Sequence, residues 1–193
     1  MYIPANLATL LIGSFLCLLS AQSCAVMPDN SFEEQEAVTL FKIMNQRLVQ
    51  MEAVAAYKYL HHLPSFIPGR EHKILAIVRA KAQQQGLNVA ATQNFIRLQM
   101  RIAVQVQNQW HQQWRKDGFD DTQLNTLDIY IPPDMKPLTL DIVEQLVKVL
   151  PLINQCAYHA TLRHYLGQEI QAPYVTDAQK EQLYESLLKI SKP

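Results

Sequence analysis

Apolar residues recur every three or four positions along most of the chain, a period typical of amphipathic α-helices. Prolines interrupt this pattern in clusters, and the stretches between the clusters are long enough for helices. The predicted helices span about 32–60, 70–86, 89–116 and 139–166, the last kinked at Pro151, and a short one follows Thr176 or Asp177. The polar segment 119–137 is predicted to be a loop. The pattern therefore indicates an all-α fold, a single-domain bundle of about five helices within residues 31–193.

Three residues mark the predicted helix ends most clearly. Gly86 and Gly118 follow the second and third helical patterns, where glycine commonly ends a helix. Asn88 precedes the third pattern, where its side chain can accept a hydrogen bond from the first turn.

A predominantly apolar run lies near the start of the chain, from Leu7 to Leu19, and small residues follow it. This layout predicts a secretory signal peptide over residues 1–24, although no Lys or Arg precedes the run. A retained membrane anchor is the alternative, but the run is about 13 residues long and a spanning helix needs about 20. Cys24, at the cleavage region, would alternatively carry a lipid. The predicted location is periplasmic or secreted.

The composition narrows the class of protein. The 193 residues include 17 basic and 17 acidic side chains, and 49% of all the residues are apolar. A chain of this kind folds into a core, and its zero net charge gives no electrostatic signature of nucleic-acid binding. Five glycines are too few for the many tight turns of an all-β fold. Since Cys156 is the only cysteine beyond the signal region, a disulfide framework is excluded.

Cationic and amide side chains interrupt the apolar seams of two predicted helices. In the first helix, Arg47 and Lys58 fall on a seam that also contains Leu40, Met44, Met51 and Val54. The two cations are eleven positions apart, which places them within about 20° of each other around the helix axis. In the third helix, Gln107 falls on a seam with Ile96, Met100, Ala103, Trp110 and Trp114.

Two interpretations of these residues remain open. In one, Arg47 and Lys58 extend to solvent or pair with carboxylates, and Gln107 fixes the helix register. In the other, the three side chains surround a pocket, floored by Met and Trp, that binds a small dianion. The second is favoured because a buried unpaired cation costs several kcal/mol. No acid shares the seam, since Glu52 lies about 120° or more around the axis from either cation.

Other candidate chemistry is scarce. Arg70 adds a cation at the predicted start of the second helix, where free backbone N–H groups favour anions, although a solvated position is the alternative. The pair His61 and His62 has no third ligand at metal-binding spacing, so no metal is predicted. The sequence also has no glycine-rich phosphate loop and no nucleophile elbow. An enzyme with these residues would act by charge stabilisation rather than through a base or nucleophile.

These residues together resemble a known family. Arg47, Lys58 eleven positions later, Arg70 twelve positions beyond, and Gln107 on the third helix are similar to the secreted gamma subclass of all-helical, AroQ-type chorismate mutases. The resemblance covers about residues 32–116 and implies substrate-site helices over 31–117 and C-terminal helices over 138–193. It also implies a homodimer that converts chorismate to prephenate by an intramolecular Claisen rearrangement, without a cofactor.

The resemblance implies four catalytic residues. Arg47 and Arg70 would bind the substrate carboxylates bidentately. Lys58 would bind a carboxylate and the ether oxygen, and Gln107 would donate its N–H to the same oxygen as negative charge develops there.

Three further residues are assigned to substrate binding by the same resemblance. Glu71 occupies a position that contacts the substrate hydroxyl in some relatives. Ala103 stands where relatives have Ser or Thr, so a hydroxyl contact is lost. Lys136 is the one basic residue of 136–142, the region from which some secreted relatives supply an arginine.

Two other functions fit the same residues. A related helical fold with a similar cationic pocket eliminates pyruvate from isochorismate. Alternatively, the chain is an exported, non-catalytic binding or adaptor protein in which the polar seam residues are structural.

Overall fold

The part of the chain that the structure describes consists of helices and the turns between them. The computed structural model describes residues 31–119 and 134–190. Its elements are α1 Ser31–Val49, α2 Met51–Leu60, α3 Arg70–Gln84, α4 Val89–Asp117, α5 Lys136–Ile153, a 3₁₀ turn Cys156–Tyr158, α6 His159–Glu169 and α7 Asp177–Leu187. The predicted all-α fold is confirmed.

The long helix α4 organises one half of the bundle and α1 the other. Helices α2, α3 and α7 pack against α4, whereas α5 and α6 pack against α1. Helix α3 also contacts α5, which joins the two halves. The largest fully buried side chains include Phe41, Phe95, Ile142, Leu146 and Tyr158, so all the long helices contribute to the core.

Local capping explains where several helices begin and end. The side chain of Asn88 accepts a hydrogen bond from the N–H of Ala91 at 3.0 Å, which starts α4 as predicted. Gly86 follows α3 in the left-handed conformation at φ 65°, which an L-residue rarely adopts. At α7, Thr176 and Gln179 form a reciprocal capping box.

The first predicted helix is interrupted once. A single helix over 32–60 was expected, but Gln50 separates α1 from α2 because its ψ is −6°, far from the helical value near −42°. The N–H of Gln50 still bonds to Gln46 O, and the N–H of Val54 bonds to Gln50 O, each at 3.1 Å. The interruption is therefore local.

The predicted helix over 139–166 is wrong in two respects. Helix α5 begins at Lys136 rather than 139, and Pro137 lies in its first turn, where its missing N–H has no helical partner to lose. The helix then ends at Ile153 instead of kinking at Pro151 and continuing. Pro151 cannot donate to the preceding turn, and a separate helix begins at His159 and runs to Glu169.

The predicted signal peptide or anchor over residues 1–24, including Cys24, lies outside the described residues. Within 31–119 and 134–190, no helix combines the length and the hydrophobicity that crossing a bilayer requires.

Candidate active site

One cavity of about 370 Å³ lies between α1, α2, α3, α4 and the start of α5. The turn that joins α2 to α3 forms part of its wall. The structure brings to this cavity all seven residues that the sequence singles out: Arg47, Lys58, Arg70, Glu71, Ala103, Gln107 and Lys136.

Arg47, from the last turn of α1, is buried with 5% of its surface exposed. Its Nε donates to Thr139 Oγ1 at 3.4 Å, and its Nη1 is buried without a hydrogen-bond partner among the described residues. Burial, and secondly the charge of Arg70, lowers the pKa of Arg47 to about 10. The guanidinium is thus a charged donor with unused capacity.

Lys58, from the last turn of α2, is buried to the same extent. Its ammonium donates to Ser65 O at 2.6 Å and to Gln107 Oε1 at 2.7 Å. An ammonium has three protons, so one remains after these bonds. Burial, and secondly the charge of Arg70, lowers the pKa of Lys58 to about 8. No carboxylate among the described residues pairs with either Lys58 or Arg47.

Gln107 lies on the buried face of α4, about five turns from the start of the helix. Because Lys58 binds its Oε1, the amide nitrogen is turned the other way, where it donates to Ala103 O at 3.1 Å and to Met51 Sδ at 3.3 Å. A thioether sulfur is a weak acceptor. The amide can therefore exchange Met51 for a stronger acceptor at little cost.

Positive charge dominates the wall of the cavity. Arg70 is exposed at the start of α3, and Arg101 and Lys136 are exposed on α4 and α5. With Arg47 and Lys58 they place five cations around the cavity, against the two carboxylates of Glu71 and Asp134. The arrangement favours binding of an anion, because a bound anion would relieve the repulsion among these cations.

Each of the remaining predicted site residues already has a local interaction. Glu71 accepts from Arg97 Nε at 3.0 Å in a half-exposed ion pair. Ala103 contributes a methyl group, and its carbonyl is bound by Gln107. The backbone N–H of Lys136 donates to Asp134 Oδ1 at 2.9 Å, which leaves its side-chain ammonium exposed at the rim.

A histidine fastens the turn that holds Lys58. His111 is buried on α4, and its two ring nitrogens contact Ala55 O at 2.9 Å and Ser65 Oγ at 3.4 Å. Burial lowers the pKa of His111, which favours the neutral ring with one donor and one acceptor nitrogen. The ring thereby ties Ser65 to α2 and supports the carbonyl that Lys58 binds.

The structure also corrects the expected floor of the cavity. Met51 and Met100 line it, but Trp110 and Trp114 do not. The two tryptophans stack on each other, and Trp114 contacts Tyr59 and Phe119 in a separate apolar cluster.

Sequence reasoning missed three residues that contact the predicted ones. Ser65, Arg97 and Thr139 hold Lys58, Glu71 and Arg47 respectively. Arg97 and Thr139 are distant in sequence from their partners, and nothing in the sequence pattern indicates these contacts. Ser65 lies in the proline-rich turn just after Lys58, and its contact is made by a backbone carbonyl, which residue type does not reveal.

Comparison with known proteins gives consistent matches. The family described as chorismate mutase type II matches residues 38–108, which include Arg47, Lys58, Arg70 and Gln107. A monofunctional chorismate mutase of Enterobacter agglomerans is 28% identical over 159 residues, covering 80% of this chain and 83% of that protein.

Solved structures share the fold. The secreted chorismate mutase of Yersinia pestis superposes with a TM-score of 0.68 at 22% identity, covering 80% of this chain and 98% of its own. The chorismate mutase of Burkholderia thailandensis superposes with a TM-score of 0.63 at 25% identity, covering 79% and 97%. Both alignments extend well beyond the matched family segment.

Proposed function

We propose that this chain, whose residues 38–108 match the type II chorismate mutase family, converts chorismate to prephenate in the cavity lined by Arg47, Lys58, Arg70 and Gln107. The observation that carries this proposal is the burial of Arg47 and Lys58 around one cavity without an internal carboxylate partner among the described residues. A substrate with two carboxylates supplies the missing negative charge.

The reaction is a rearrangement within one molecule. The C–O bond of the ether bridge breaks while a C–C bond forms, and no proton, electron or group leaves the substrate. The protein therefore needs no base and no nucleophile. It has to hold the folded conformer in which the two ends meet, and to stabilise the charge that develops on the ether oxygen.

Arg47 and Arg70 bind the two carboxylates in this proposal. Arg47 is held at Nε by Thr139, so its Nη groups are available for a bidentate contact. Arg70 reaches the cavity from its exposed rim and can close on the second carboxylate after the substrate has entered.

Lys58 and Gln107 act on the ether oxygen. Two donors are available. One is the third proton of Lys58, and the other is the amide N–H of Gln107 that donates to Met51 Sδ in the ligand-free protein. Both are fixed before the reaction, since each is bound to the other and to neighbouring carbonyls. Preorganised donors of this kind stabilise the transition state more than the ground state.

Glu71, Ala103 and Lys136 have lesser roles. Glu71, held by Arg97, is placed to accept from the substrate hydroxyl at the rim. Lys136 adds an exposed positive charge on the α5 side. Ala103 shapes the wall without contributing a side-chain donor.

Turnover of chorismate by the purified protein tests this function. The chorismate absorbance should fall as prephenate forms, and Lys58→Ala should lower kcat/KM by about 10² to 10³, because one preorganised donor is lost. Lys42→Ala, at an exposed position on α1, is the matched control and should have no effect. Pyruvate release from isochorismate with no prephenate formation would instead indicate the lyase reaction. Loss of neither substrate would contradict catalysis.

We also propose export, with residues 1–24 acting as a signal peptide and residues 31–193 forming the mature domain. The apolar run and the secreted relative from Yersinia pestis support this. Cell fractionation and N-terminal sequencing of the recovered protein test it, because recovery in the cytoplasm with residue 1 intact would contradict export.

The mature protein is proposed to be a homodimer with a complete cavity in each subunit. The cavity as described is built from one chain, which supports the second part of the proposal. Light scattering measures the mass directly, and a monomer at micromolar concentration would contradict the first part.

A further inference from the structure

The side chain of Arg47 is held by a residue from the other half of the bundle. Its Nε donates to Thr139 Oγ1 at 3.4 Å, although 92 positions separate the two residues. Thr139 is 3% exposed and lies in the first turn of α5. Both residues line the cavity.

The direction of this hydrogen bond is fixed by the helix. The hydroxyl of Thr139 donates its single proton to Met135 O at 2.7 Å, so it can only accept from Arg47. Met135 O also accepts from the backbone N–H of Thr139 at 3.1 Å. Removing the hydroxyl would therefore leave the helix bonded and deprive only Arg47 of its acceptor.

We propose that Thr139 is a positioning residue for the reaction, which orients Arg47 so that its Nη groups face the substrate carboxylate. The inference rests on the proposed function. Nη1 is buried without a partner among the described residues, and within the same part of the chain the contact from Nε to Thr139 is what holds this guanidinium. Without that anchor, the side chain can rotate about its terminal bonds and the two-point contact with a carboxylate loosens.

Thr139→Val removes the hydroxyl and keeps the shape of the side chain. We expect it to lower kcat/KM for chorismate about tenfold, mainly through a higher KM, because a contact to a charged group is weakened in both the ground state and the transition state. Thr139→Ser keeps the hydroxyl and should restore kcat/KM to within about threefold of the wild type.

The chain offers a matched control in α4. Thr92 is fully buried, its hydroxyl donates to Asn88 O at 2.8 Å, and its N–H donates to the same carbonyl at 3.0 Å. Thr92 therefore makes the same two bonds to its helix as Thr139 but accepts no hydrogen bond from an arginine in the described part of the chain. Thr92 does not line the cavity. Thr92→Val should leave kcat/KM unchanged. An equal loss in Thr92→Val and Thr139→Val, or in Thr139→Ser and Thr139→Val, would overturn the proposal.

A second readout does not depend on turnover. In an NMR spectrum of the free protein, the Nε–H of Arg47 should be protected from exchange in the wild type and in Thr139→Ser, and exchange at least about tenfold faster in Thr139→Val. An unchanged exchange rate in Thr139→Val would refute the positioning role. Protected Nε–H in a protein that does not turn over chorismate would leave this contact established and reject the proposed function.

Discussion

At the scale of single residues, the dominant fact is that two cations are buried without a counter-charge from the described chain. The low-dielectric surroundings and the charge of Arg70 lower the pKa of Lys58 to about 8 and that of Arg47 to about 10. In the ligand-free protein these charges are unfavourable. A dianion between them would reverse the sign of the interaction, so the same residues that weaken the empty fold would strengthen the complex.

The pH dependence of kcat/KM follows from Lys58. Its protonated form is the donor, and its folded-state pKa is lowered from 10.5 to about 8, so the donor is present below pH 8 and lost above it. Gln107 does not ionise, so the loss of activity between about pH 5 and 8 that a carboxyl donor at this position would show as it deprotonates is not expected. We expect kcat/KM to be level from about pH 5.5 to 7.5 and to fall about tenfold per unit above pH 8.

A pH–rate profile of kcat/KM for chorismate checks this expectation, since kcat/KM reports ionisations of the free enzyme. Activity that declines steadily as the pH rises from about 5.5 to 7.5 would show that a carboxylic acid, and not Gln107, donates to the ether oxygen. A profile that stays level to pH 10 would remove Lys58 from the assignment.

At the scale of elements, the ends of α3, α4 and α7 could be predicted because each depends on a few neighbouring residues. The end of α3 is the clearest case. The N–H of Leu87 bonds to Ala82 O at 2.9 Å and the N–H of Gly86 bonds to Gln83 O at 3.2 Å, which is the Schellman pattern. This pattern requires a left-handed residue at position 86, and the sequence has glycine there.

The elements that could not be predicted depend on the rest of the molecule. Nothing in the residue types around Gln50 distinguishes an interrupted helix from a continuous one, because its neighbours keep the helical spacing and the backbone bonds across it persist. Pro151 predicts that the helix is disturbed, but it does not predict whether the helix kinks or ends. Both a kink and a termination accommodate a proline that cannot donate to the preceding turn, and residue type alone does not choose between them. The chain leaves α5 at Ile153.

A pair of glycine substitutions tests the backbone argument. Gly86→Ala should lower the free energy of unfolding by about 1 kcal/mol, because φ is 65° and alanine is strained there although no atom lies within 4 Å of its Cβ position. Gly167→Ala, inside α6 and equally free of contacts, should raise it by up to about 1 kcal/mol, because glycine is a poor helix former. Urea unfolding measures both, and the same sign for the two changes would contradict the explanation.

At the scale of the whole molecule, the cavity is a product of helices that are far apart in sequence. Arg47, Lys58 and Gln107 could be predicted to share it because each breaks an otherwise apolar seam. Thr139 could not, since a threonine in a first helical turn is ordinary and only the packing of α5 on α1 brings it to Arg47. Trp110 and Trp114 share the seam of Gln107 but pack in a separate apolar cluster instead of lining the cavity. The position of an apolar residue on a seam does not indicate which cluster it joins.

The most direct test of a cavity built for a dianion is the ionisation of Lys58 itself. An NMR titration of the Lys58 side chain, with its signal assigned by loss in Lys58→Arg, gives this pKa with and without saturating prephenate. In the free protein the midpoint should lie near pH 8, and with the dianion bound it should rise, because the ammonium gains a negative neighbour. A midpoint that prephenate leaves unchanged would show that the buried charge and the ligand do not meet.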